Sequence, residues 1–112
     1  MARPKIYFAW EVPRGVVNIV RMICADYDRR VQAIERGVVP ESIGGTYARL
    51  NEAIDLALVG IEPSLRKDFL ADVAYHRGYD YAQVSPYLAK NTYYAKKRKF
   101  VYEVAKKLLL IE

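Results

Sequence analysis

"AKNTYYAKKRKFVYEVAKKLLLIE", Ala89 to Glu112, changes character halfway along. Its first twelve residues carry five positive charges and two adjacent tyrosines without a single acid, and its last twelve are apolar at helical spacing. An α-helix turns about 100° per residue. On that wheel Tyr93, Lys97, Phe100, Val101, Val104 and Leu108 share one sector, while Thr92, Ala95, Lys99, Tyr102 and Lys106 fall opposite and Lys96 and Arg98 lie on the flanks. An apolar stripe seeks burial, so the helix packs along the first line and its early turns project from the core as a cationic surface.

The chemistry of that surface suits DNA. Ala95 lets the backbone approach base edges, Thr92 can donate, accept or touch a thymine methyl, and Lys96, Arg98 and Lys99 can reach phosphates or guanine. Lys90, Asn91, Tyr94 and Tyr102 complete the candidate DNA-binding face, and Lys97 reaches out from the packed side. A solvated basic face is the plainer alternative, but the missing acids count against it. A membrane-surface helix would need its apolar side exposed, and here that side closes the domain.

Composition supports a folded, intracellular binding protein. The chain has 112 residues, 53% of them hydrophobic and 28% charged, enough for one core. Residues 1–60 hold eight Lys and Arg against seven Asp and Glu, and residues 61–112 hold ten against six, so the net charge of +5 lies mainly in the C-terminal half. One cysteine, Cys24, excludes an internal disulfide, and one histidine, His76, leaves little for a zinc site. "KIYFAW" is too short for a signal-peptide core, and no apolar run reaches membrane-spanning length. A cytoplasmic location is expected, with no membrane association and no cofactor.

Upstream of the quoted stretch the chain reads as an arm and three helices. Pro4 and Pro13 bracket the arm, whose Tyr7, Phe8 and Trp10 can anchor it to the body or to a second subunit. A long first helix is predicted from Arg14 to Arg36, with Val16, Val20, Ile23, Cys24, Tyr27, Val31 and Ile34 inward and Gly37 as its stop. "VVPESIGG" reads as a loop, after which Thr46 caps a second helix running to Val59. That helix buries Tyr47, Leu50, Ile54, Ala57 and Leu58, but Leu56 and Val59 fall off the stripe and imply a second neighbour. A third helix is predicted from Pro63 to about Arg77, with Leu65, Phe69, Leu70 and Val73 inward and Gly78 ending it. Asp80 and Gln83 then form a capping-box pattern for a short helix with Val84, Tyr87 and Leu88 inward. Asn91 or Thr92 caps the last helix, which reaches about Leu110.

The order helix, turn, short helix, turn, basic helix is that of a helix-turn-helix. Residues 78–111, "GYDYAQVSPYLAKNTYYAKKRKFVYEVAKKLLLI", resemble the C-terminal helix-turn-helix of the ArpU and RinA type phage regulators, itself similar to the promoter-reading domain of sigma factors. The likeness lies in a turn leading into the aromatic-then-basic "NTYYAKKRK" and a Leu/Ala-rich tail. It implies activation of late phage genes by promoter binding in a bacterial host cytoplasm, with RNA polymerase as a further partner. Pro86 departs from the pattern: either the short helix ends near Val84, or Ser85 and Pro86 start a new turn.

Other constellations carry less. Asp68, Asp72 and His76 recur every four residues on one face of the third helix, but no second cluster completes a metal or acid–base site, so a solvated face or an acidic patch for a protein partner is the expectation. "GGT" lacks the rest of a phosphate loop. Ser42, Ser64 and Ser85 have no histidine assigned as their base, so no enzyme is expected. Cys24 reads as core.

The fold expected is therefore all-α with four to five helices: an arm and N-terminal helical hairpin over 1–60, where oligomerisation would occur, and a helix-turn-helix lobe over 61–112. The function expected is sequence-specific binding of double-stranded DNA by a homodimer whose subunit contact involves Tyr7, Phe8, Trp10, Leu56 and Val59. A small terminase-like packaging protein is the alternative within the same chemistry. A helical protein-interaction module is the alternative outside it.

Overall fold

Pro13, with its ring-fixed φ of −55° and ψ of 143°, sits immediately before the first helix, where a missing N–H costs nothing. The computed structural model describes residues 10–37, 39–78 and 89–112. The described residues form five α-helices and no strand: α1 Arg14–Ala25, α2 Tyr27–Arg36, α3 Glu41–Ala57, α4 Arg66–Tyr75 and α5 Lys90–Lys107. Short 3-10 turns, Leu58–Gly60 and Pro63–Leu65, link α3 to α4. The all-α class expected from the periodicity is the class observed.

The long first helix is in fact two. Asp26, at φ −98° and ψ 8°, separates α1 from α2, and its carboxylate accepts two 2.6 Å bonds from the Arg29 guanidinium. Arg30 fills the resulting gap. Its guanidinium donates to the Ile23 carbonyl, one of the acceptors that the end of α1 leaves open, and its Nε donates to Asn51 Oδ1 of α3 at 2.7 Å. The break rotates the stripe that follows, so Arg30 is buried at 2% exposure while Ile34, expected inward, is 39% exposed. Gly37 ends α2 at φ 62°, as its freedom in the left-handed region predicts.

The expected loop "VVPESIGG" is also revised, because α3 begins at Glu41 directly after Pro40 and runs through Gly44 and Gly45. Thr46 is not its cap; its hydroxyl donates back to the Ser42 carbonyl at 3.3 Å, a bond open to threonine inside a helix. The stripe of α3 lies as expected, with Ile54, Ala57 and Leu58 buried and Leu50 packed against them. Helix α4 stops two residues before the expected Arg77. His76 adopts φ 58° and donates its N–H to the Asp72 carbonyl, and Gly78 follows at φ 95°.

The last helix ends in a Schellman turn. Leu109 takes φ 60° with its N–H on the Lys106 carbonyl, and the Leu110 N–H reaches the Ala105 carbonyl. Helix α1 packs on α4 and α5, α2 pairs with α3, and α3 also meets α5. One hydrophobic cluster joins residues from both halves of the chain. At its centre Phe69 meets Tyr93 and Phe100 edge-to-face, with ring centroids 5.7 and 5.2 Å away. The short helix expected around Asp80, Gln83, Val84, Tyr87 and Leu88, and the question of Pro86, lie outside the described residues.

Candidate nucleic-acid interface

Helix α5 is held by a buried carboxylate. Asp72 of α4 has no exposed surface, and it accepts a 2.6 Å bond from the Tyr93 hydroxyl, a 3.1 Å ion pair from Lys97 and a bond from the Gly78 amide. Tyr93 and Lys97 stand four residues apart, so one acid grips one face of α5 at two successive turns. Burial alone would raise the Asp72 pKa, but the bonds from Tyr93, Gly78 and Lys97 together outweigh it and hold the carboxyl below its ordinary value. Burial, with the neighbouring carboxylate, pushes the Tyr93 phenol up.

This overturns the reading of Asp72 as part of a solvated or partner-binding acidic face. Of the three residues only His76 is exposed; Asp68 is half-buried. Helical spacing places the three on a common side of α4 but says nothing of what packs there. The signal available was Tyr93 and Lys97, two polar groups on a stripe that otherwise requires burial and so needs a buried partner.

With Lys97 neutralised, the remaining cations of α5 separate from the core. Lys90, Asn91, Thr92, Arg98 and Lys99 are exposed, whereas Tyr94, Ala95, Lys96 and Tyr102 are half-buried. Asn91 and Thr92 do not cap the helix. Ala89 occupies the cap position in extended conformation, the first backbone bond runs from the Tyr93 N–H to its carbonyl at 2.9 Å, and Asn91 and Thr92 fall inside the first turn. Among the described residues no side chain caps this terminus, and its first turn holds no acid, so the positive end of the helix dipole adds to Lys90.

Trp10 gives the face a boundary. Its ring lies 5.1 Å from that of Tyr102 at 67°, and the Lys99 ammonium stands 5.5 Å from the indole centroid. Tyr94 packs edge-to-face on Tyr93 at 5.6 Å. The outer surface of α5 is therefore open over its first turns and carries the indole farther along. Of the other residues expected at a subunit contact, Leu56 is 50% and Val59 69% exposed, and Tyr7 and Phe8 lie outside the described residues. Sequence reasoning missed the buried role of Asp72 and the Arg30–Asn51 pair, and it left open whether Trp10 anchors to the body, where it docks on Tyr102, or to a second subunit.

No described helix is long and apolar enough to cross a membrane. No protein-family model, curated protein or solved structure matches the chain.

Proposed function

We propose that the chain binds double-stranded DNA with sequence preference, presenting the open first turns of α5 to the major groove. The observation that carries this reading is the division of labour along one helix: Tyr93 and Lys97 are committed to a buried acid, while Lys90, Asn91, Thr92, Arg98 and Lys99 remain exposed with no acid among them. A helix held this firmly can hold side chains in register against base edges, and the surrounding cations supply the affinity for phosphate. Thr92 and the half-buried Ala95 are the base-reading positions, and Lys90, Lys96, Arg98 and Lys99 are the phosphate contacts.

The resemblance of residues 78–111 to the ArpU and RinA type regulators points to activation of late phage genes as the role of this binding. A single α5 covers few base pairs. Exposed Leu56 and Val59 supply an apolar surface at the end of α3 through which two copies would pair on a two-fold site. Selection of bound duplexes from a random DNA pool tests the proposal: convergence on paired half-sites is expected. A pool that binds but never converges would contradict sequence-specific reading.

A further inference from the structure

Beside the DNA face, between α1, the His76 turn and α5, two neighbouring cavities share Val12, Val17 and His76. The first, about 400 Å³, is walled by Trp10, Val12, Val17, Tyr94 and Val101, with Glu11, Lys97 and Arg98 at its edges. The second, about 500 Å³, is lined by Arg14, Asn18 and Arg21 as well as the shared residues, and no described acid lines it. Arg14, Asn18 and Arg21 recur at intervals of four and three, which stacks two guanidiniums and an amide along one side of α1. The chain thus joins an apolar chamber to a cationic one.

The cationic chamber is electrically incomplete. No described acid forms an ion pair with Arg14, Arg21 or Arg98. The Arg21 Nε is buried and has no hydrogen-bond acceptor, an arrangement that an anionic oxygen would relieve. His76 projects from a left-handed backbone (φ 58°) into the same space. Partial burial and the charges of Arg21 and Lys97 push its pKa down, so near neutral pH it offers an uncharged imidazole as donor or acceptor.

We propose that this double cavity is a binding site for a small amphipathic anion, with a carboxylate or phosphate-monoester head held by Arg21, Arg14 and Asn18 and an apolar or aromatic body lying against Trp10, Val17, Tyr94 and Val101. The cavity sizes suit a ligand of that kind. The head-group residues Arg14, Asn18 and Arg21 lie on α1 and are not among the proposed DNA contacts, whereas Arg98, at the edge of the apolar chamber, belongs to both surfaces.

Trp10 is the only tryptophan of the chain, so its emission reports on this cavity. The test is titration of the protein with octanoate and with phenyl phosphate, using neutral octanamide and inorganic phosphate as controls. A saturable change with octanoate, phenyl phosphate or both is expected, and the stronger of the two identifies the head group. Octanamide and inorganic phosphate, each lacking half of the ligand, should bind far more weakly. Arg21→Gln should weaken binding about tenfold or more, the ordinary effect of losing a hydrogen bond to a charged group, and Arg14→Gln should weaken it in the same direction. Circular dichroism checks that each variant folds; if Arg21→Gln does not, the exposed Arg14→Gln decides. No saturable change with either anion, octanamide binding as tightly as octanoate, or undiminished binding by the folded arginine variants would overturn the proposal.

Discussion

Asp72 determines how α5 sits, and its replacement is the sharpest test at the scale of one residue. Asp72→Asn keeps the shape but removes the charge facing Lys97, and a broken buried pair costs about 3–5 kcal/mol. A fall of that order in unfolding free energy, measured in urea, is the expected result. Because the folded-state pKa of Asp72 is depressed, its contribution is complete above the ordinary carboxyl value and is lost as pH falls through the lower folded value. The wild type should therefore lose stability on the acid side, and the asparagine variant should lose less there. At the alkaline end burial pushes the Cys24 thiol up to about 12, so its stabilisation is present at neutral pH and lost as pH rises from the ordinary thiol value towards that figure. The inward place of Tyr93 and Lys97 was legible from their spacing on α5, but their partner was not. A helical wheel orders residues around one axis and carries no information on which acid the next helix brings opposite.

At the scale of the element, the main departures are breaks that periodicity cannot see and a helix that composition hides. One residue, Asp26, interrupts an apolar spacing that runs on in the sequence from Val16 to Ile34, so α1 and α2 read as a single helix. Conversely Gly44 and Gly45 suggest a loop, yet α3 starts at Glu41 and runs through them. That gives a discriminating variant. Gly45 has open space where a methyl group would go, and glycine inside a helix costs about 0.5–1 kcal/mol relative to alanine. Gly45→Ala should raise thermal stability accordingly; no change or a loss would argue against a helical turn there. At the other end of the fold, Leu109 bears the steric cost of a left-handed residue in an exposed turn. Leu109→Gly should stabilise by about 1 kcal/mol, read in the same melts.

At the scale of the whole molecule, the all-α class and the anchored, cationic character of α5 were readable because both follow from patterns within single helices. The path of the chain was less so. Splitting at residue 60 follows charge and turn signals, and the one hydrophobic cluster draws residues from both sides of that point, with α1 packed on α4 and α5. Trp10, whose position in the arm left anchoring to the body or to a second subunit open, lies on Tyr102 of the same chain. Leu56 and Val59 remain exposed, so sedimentation of the wild type and of Leu56→Asp tests the proposed pairing. A dimer at micromolar concentration converting to a folded monomer is expected, and a wild type that stays monomeric on DNA as well as free would remove it.

The central claim, that exposed cations of α5 hold DNA, is tested most directly by the salt dependence of duplex binding. Anisotropy of a labelled duplex, titrated with the wild type and with the Lys96→Ala, Arg98→Ala, Lys99→Ala triple variant across a range of salt concentrations, gives the slope of log affinity against log salt. Removing one cation from a phosphate should flatten that slope by about 0.9, while circular dichroism stays unchanged. A wild type with no salt-dependent affinity, or a folded triple variant with an unaltered slope, would contradict the assignment of this face.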